Sequence, residues 1–190
     1  MNYAQKFFGH LKTVTKHKFW VWYYMYKCGH GWRGLWHDMS KFSPIEFWES
    51  VKYYSGTRSP IDACKEAKGI SYAWMHHKGR NPHHYEYWQD NFDNGGEAKE
   101  MPWKYKVEMI CDYLGAARAY MGKNFSYAAE LEWWNNKIKQ PRRQHFNDMA
   151  FVSRVLTQLA HEEKLNRTKE STDLLKYVLV VEKKRMYGEN

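Results

Sequence analysis

The 190 residues read as an all-α protein, a multi-helix bundle with a C-terminal helical hairpin. Three features carry that reading. No alternating apolar and polar run is bracketed by an Asn-Gly or Asp-Gly hairpin turn, so strand signals are poor. Apolar residues recur instead at helical spacing, as in Phe7, Leu11, Val14, Val21 and Tyr24. Helix-start signals repeat, with Ser43-Pro44 and then Ser59-Pro60.

The first helix spans residues 3–28 and stops at Gly29, and Gly29-His30-Gly31 reads as a turn. Ser43 caps a helix opened by Pro44, with Glu46 in its first turn, that runs to about Tyr54. Pro60 opens the next, which Gly69 ends. Residues 70–78 form a short helix, residues 79–82 turn the chain, and residues 83–90 begin another short helix. The Asp-Asn-Gly-Gly run at 93–96 is a loop. Pro102 opens a long helix to about Met121, and Ser126 caps the one after it. A linker leads into two more helices near 145–163 and 169–187. The expected division is one helical domain at 1–140 and a helical extension at 141–190 packed on it. Leu156 and Leu159 on one helix, with Leu174, Leu175 and Val178 on the other, either pack together or form a homodimer contact.

Composition narrows the partners. A formal net charge of +9 favours anions: nucleotides, nucleic acid or an acidic surface. Ten Trp and fifteen Tyr supply both core area and surfaces for base stacking. Cys28, Cys64 and Cys111 are odd in number and lack CxxC spacing, which excludes a disulfide framework and a thiolate zinc site. They fit a reducing cytosol, and with no long apolar run and no secretory h-region the expectation is a cytoplasmic protein that does not enter a membrane. Walker and GxSxG motifs are absent from the sequence, and the glycines at 29, 31 and 34 follow a helical stretch instead of the strand that a Rossmann fingerprint requires.

The histidines point to chemistry. Eight of the ten lie in residues 10–84. His37-Asp38 is an adjacent pair, and His76-His77 and His83-His84 are doublets seven residues apart. His10 and His17 share a helix face. Asp112 sits inside an apolar helical stretch, where burial is costly unless the carboxylate meets a cation or donors, Arg118 being one such cation. Imidazole and carboxylate together suit Mn, Fe, Co, Ni or Zn, and several helices of a bundle can surround an ion that one helix face cannot. The candidate ligands are His17, His37, Asp38, His76, His77, His83, His84 and Asp112, with His37 and Asp38 pictured as adjacent helical residues flanking one ion or bridging two. His10 and His30 are less attractive, and His145 and His161 read as surface. The competing account makes the doublets a polar turn whose rings cap helix ends.

The order His17, His37-Asp38, further histidines, then Asp112 resembles the HD superfamily of helical metal-dependent phosphohydrolases. That resemblance implies an HD-like domain at 1–140 holding one or two divalent transition-metal ions. It places Lys41 near a substrate phosphate, as in an HD-x-x-K pattern. His83-His84 followed by Glu86 resembles the His-His-Glu of binuclear members, whose ions bind phosphate oxygens and activate water. Asp38, Lys41 and Glu86 are then catalytic candidates, Lys41 and Arg80 phosphate-binding candidates, and Glu86 an orienter of histidine or a proton relay. Ser40 stands where HDxGK has glycine, and no GYP motif follows the second doublet. More closely, the chain resembles an uncharacterised family of small proteins from Gram-positive bacteria and their phages that share HD-x-SKFSP and HH-x-x-RN-x-HH-x-EYW segments.

The expected function is metal-dependent hydrolysis of a nucleotide or related phosphate ester. Trp36, Trp74, Tyr85 and Trp88 flank the histidines and either stack on a base or fill the core. Three other classes compete. Basic, aromatic segments such as residues 12–27 suit a nucleic-acid-binding module. A protein that sequesters a nucleotide would share the pocket without the chemistry. A di-iron oxidoreductase would need Glu-x-x-His pairs on two helices, and none lies near the cluster.

Overall fold

A computed structural model describes residues 1–90, 96–166 and 173–188. Among these residues there are nine α-helices and no strand, only a single antiparallel bridge between Gln89 and Ala98. The helices are α1 (Tyr3–Lys27), α2 (Gly31–Trp36), α3 (Pro44–Tyr53), α4 (Pro60–Lys68), α5 (Tyr72–Lys78), α6 (Trp103–Met121), α7 (Tyr127–Lys137), α8 (Phe146–Lys164) and α9 (Leu174–Tyr187). Local chemistry sets their starts. Asn2 and Gln5 form a reciprocal capping box on α1. The side chains of Ser43, Ser71 and Ser126 accept from the free N–H groups that begin α3, α5 and α7.

Two expectations change. Residues 31–36, read as following a turn, form α2, which folds back along α1. A six-residue helix is too short to show a period, and its two glycines argue against a helix in the sequence. Gly34 makes the return possible: a Cβ there would lie 2.7 Å from Met25 Cβ and 3.1 Å from Trp22 Cα. Residues 83–90 form one 3₁₀ turn, Tyr85–Trp88, instead of an α-helix. His84 is extended before that turn, and the Trp88 indole closes the loop by donating to the Pro82 carbonyl at 2.6 Å. All but Gly96 of the expected loop at 93–96, and the helix start at 169–172, lie outside the described residues.

The central pair is α1 against α6. One stripe of α1 is buried: His10, Val14, His17, Val21 and Tyr24. Its spacing is that of an apolar core stripe, yet two positions are histidine. Helix α6 is buried nearly all round, including Lys106, Glu108 and Asp112. The apolar core joins α1 and α6 to Trp134 of α7, to Phe151, Val155, Leu156 and Leu159 of α8, and to Leu175 and Val178 of α9. The leucines on the last two helices therefore pack inward, in the same core as residues 1–140. Lys106, fully buried, reaches Asp148 of α8 at 2.6 Å and Glu100 at 2.7 Å. None of α3, α4 and α5 contributes to that core. They cover the other side of the central pair, where the histidines lie. No helix among the described residues is long and apolar enough to cross a membrane.

The closeness of α1 and α6 depends on Gly115, where a Cβ would meet Val21 Cγ2 at 2.5 Å and the Val21 backbone nitrogen at 3.0 Å. Backbone cannot rotate away, so Gly115→Ala forces the helices apart. The expected loss is about 1–3 kcal/mol, read as a lower midpoint in chemical denaturation at unchanged slope.

Candidate metal centre

The centre begins at a turn. His37 ends α2 in extended backbone, and Asp38 is left-handed at φ 53°. A non-glycine residue there is strained and is held by its surroundings. The Lys18 ammonium of α1 supplies part of that hold, donating to the Leu35 carbonyl at 2.6 Å and the His37 carbonyl at 2.8 Å. The adjacent His37 and Asp38 are thus not helical neighbours. The turn aims both side chains inward, leaving them 2% and 3% exposed.

Asp38 faces histidines on two sides. Its Oδ2 lies 3.5 Å from His17 Nε2 and 3.2 Å from His37 Nε2. Asp112 Oδ1 of α6 closes that group at 3.2 Å from His17 Nε2 and 3.3 Å from His37 Nε2. Asp38 Oδ1, on the other side, lies 3.3 Å from both His77 Nε2 and His83 Nε2. His84 joins this second group, its ring 4.3 Å from that of His83. Two four-residue sets result, His17, His37, Asp38 and Asp112, and Asp38, His77, His83 and His84, each of which could hold a metal ion.

The outer nitrogens are occupied. Glu108 Oε1, four residues before Asp112 on α6, lies 3.0 Å from His37 Nδ1 and 3.2 Å from His83 Nδ1. Its other oxygen binds Arg33 at 2.5 Å. Glu46 of α3 meets His77 Nδ1 at 2.7 Å and His76 Nδ1 at 2.6 Å. A carboxylate on Nδ1 fixes that proton and leaves the Nε2 lone pair free to bind a cation, the arrangement that orients histidine ligands in metal sites. Asp38 Oδ1, His83 Nε2 and His84 Nε2 are buried without a hydrogen-bond partner, while Asp38 Oδ2 is met by the Lys41 ammonium. Orphaned acceptors converging on one pocket are costly unless a cation meets them. The donor set therefore fits a borderline divalent ion.

Charge pairing within the two groups sets how their members titrate. Burial disfavours ionised Asp38 and Asp112, but facing histidines, with Lys41 beside Asp38, outweigh it and hold both carboxyls well below the usual range. Glu108 is likewise pulled down by His37 and His83. Burial also works against a charged His37, yet Asp38, Asp112 and Glu108 push it well above the ordinary imidazole range. His84 goes the other way, kept neutral by burial and then by His83 and His77. Lys41 Nζ stands 2.5 Å from Asp38 Oδ2 and 3.2 Å from His17 Nε2, so its ammonium touches two atoms of the first group as a metal ion would.

Of the sequence candidates, His17, His37, Asp38, His77, His83, His84 and Asp112 come together, with Lys41 against them. Three do not. His76 is bound to Glu46, because consecutive helical residues point about 100° apart and only His77 faces inward. Glu86 contacts neither group; it lies by Tyr85 and Arg142, and the histidine-orienting role belongs to Glu108 and Glu46. Arg80 is exposed, donates to the His76 carbonyl at 3.4 Å, and lines a cleft of about 370 Å³ with Trp32, Trp36 and Glu108. Asp38 and His83 also line that cleft, so it opens on the centre. Arg118 binds the Tyr24 hydroxyl instead of Asp112. His10 is buried against Phe47 and Tyr54, outside both groups. His30 and His145 sit at the starts of α2 and α8, and His161 is exposed in the last turn of α8.

A model of a family of unknown function, DUF5662, matches residues 6–158. The chain belongs to this family. The family match begins in α1, ends within α8 and takes in every member of both ligand groups. No curated protein and no solved structure matches the chain.

Glu130 of α7, which the sequence reading passed over, is 5% exposed, and burial, then the Asp112 charge, push its carboxyl up to about 8. The unfolded chain gives up this proton near its ordinary 4.5 while the folded chain keeps it. Glu130 therefore makes stability fall as pH rises from about 4.5 through 8. Glu130→Gln is expected to melt with wild type at pH 4.5 and above it at pH 8, as followed by circular dichroism.

Proposed function

We propose that the chain is a metal-dependent phosphohydrolase that holds two divalent transition-metal ions and acts on a nucleotide or related phosphate ester. One observation carries the reading: the two oxygens of a single buried carboxylate, Asp38, each face a separate set of imidazoles. A bridging carboxylate between N/O-ligand sets is the pattern of paired-metal hydrolytic sites. The ordered resemblance of His17, His37-Asp38 and Asp112 to HD phosphohydrolases points the same way. Bound ions would supply Lewis-acid stabilisation of phosphate oxygens and a water of lowered pKa.

The chain's own residues divide the remaining work. His17, His37 and Asp112 would hold one ion, and His77, His83 and His84 the other, with Asp38 shared. Glu108 and Glu46 fix the ring orientations from behind. The Lys41 ammonium, its side chain 25% exposed, would face a substrate phosphate.

The basic, aromatic face of α1 gives less support to nucleic-acid binding. Lys16 is committed to the Ala119 carbonyl, Lys18 to Leu35 and His37, and Lys6 to Lys52. Lysines held on backbone carbonyls are poorly placed to contact phosphate along a duplex.

Metal content of the purified protein, with Mn-dependent turnover of p-nitrophenyl phosphate and its diester, tests the proposal. About two ions per chain are expected, about one in His17→Ala or His84→Ala, and none in Asp38→Ala, with kcat down by about 100-fold or more in each. A wild type that takes up no metal, or that loads metal and cleaves neither ester, contradicts it.

A further inference from the structure

The segment between α7 and α8 carries a cation that neither metal group uses. All three guanidinium nitrogens of Arg142 are buried, and none has a hydrogen-bond partner. Its carbon lies 4.5 Å from the Tyr85 ring centroid and 5.0 Å from that of Trp134. Aromatic rings attract the faces of a guanidinium but leave its in-plane N–H donors unmet. Arginine cannot shed its charge to escape burial, so an unpaired guanidinium is expensive.

The neighbours do not cure the deficit. The Tyr85 and Tyr113 hydroxyls come close enough to Arg142 for weak polar contact, short of a well-formed hydrogen bond, and being neutral they do not offset its charge. Lys137 adds a second cation nearby: its surroundings, then Arg142, press its ammonium below the ordinary lysine range. Glu86 is the nearby carboxylate, yet it keeps a buried oxygen without a partner and is not hydrogen-bonded to Arg142. The place is next to the metal centre along the chain, since Tyr85 follows His84 and Tyr113 follows Asp112.

We propose that Arg142 forms a phosphate-binding subsite adjoining the metal centre, so that the preferred ligand carries a second phosphate beyond the one held at Asp38. A phosphate oxygen pair matches the planar donor fork of arginine, and such charge-assisted pairs are among the stronger hydrogen bonds. The anion site stands on Arg142 alone; its role with a substrate rests on the phosphohydrolase reading.

The test uses the purified full chain, its metal content measured in the same samples. Calorimetry compares methylenediphosphonate, a diphosphate mimic with no hydrolysable bridge, with inorganic phosphate. Arg142→Gln is expected to weaken diphosphonate binding by about tenfold or more while changing phosphate binding little, with Arg142→Lys between wild type and Arg142→Gln. Metal content stays at the wild-type level in both variants, so loss of the subsite and absence of the metal centre read differently. Equal diphosphonate affinity in all three proteins, or no binding by wild type, overturns the subsite. If Arg142→Gln fails to fold, Arg142→Lys still decides, because it keeps the charge and loses the fork; wild-type affinity in that variant overturns the proposal. With Mn present, a drop in kcat/KM for a nucleoside diphosphate but not the monophosphate assigns the subsite to substrate. Unchanged values for both, with diphosphonate binding still dependent on Arg142, assign it to a diphosphate ligand that is not the substrate.

Discussion

The Asp38 carboxylate is buried among imidazoles from four segments of the chain, with Lys41 on its Oδ2 and no hydrogen bond to its Oδ1. A charge in that position is tolerated only if the surrounding groups converge on it or a cation does. The rest of the architecture follows from meeting that demand. The left-handed turn at Asp38, the Lys18 clamp on the His37 carbonyl and the return of α2 on Gly34 bring the pair inward. The histidine at a core position of α1 and the two carboxylates one turn apart on α6 complete the shell.

The helical pair α1 and α6 therefore separates two kinds of interior. On one side α7, α8 and α9 pack leucine, valine and aromatic groups in a conventional core. On the other, α2, α3 and α5 enclose a polar interior whose Nδ1 nitrogens are tied by carboxylates and whose inner acceptors Asp38 Oδ1, His83 Nε2 and His84 Nε2 have no hydrogen-bond partner. Glu108 and Glu46 are central to that order, since each ties two histidine rings through Nδ1 and so turns Nε2 away from itself. Such a network is rigid when satisfied, which is what a metal site requires of its ligands.

Much of this was legible in the sequence because polar residues sat where helix periodicity calls for apolar ones. His17 in the α1 stripe and Asp112 in the apolar run of α6 announced themselves in that way, and the caps at Ser43 and Ser126 marked helix starts. Glu108 carried a readable signal, its four-residue spacing from Asp112, that was passed over. Glu46 gave none, since an acid in the first turn after Ser43-Pro44 is explained by the helix end alone. The choice of His77 over His76 depends on the rotation of a seven-residue helix, which sequence does not fix. Helix α2 was too short to show a period, and the backbone of Asp38 is one that residue type does not predict. Arg142 lay in what read as a linker, and only the packing of Tyr85 and Trp134 shows that it is enclosed.

The central claim is that one carboxylate is shared by two ions. Electron paramagnetic resonance of the Mn-loaded protein tests it most directly, because two Mn ions bridged through Asp38 are magnetically coupled and an isolated Mn ion is not. The account predicts a coupled signal in wild type that gives way to an isolated-ion spectrum in His84→Ala. An isolated-ion spectrum in the fully loaded wild type, or no bound Mn at all, would contradict it.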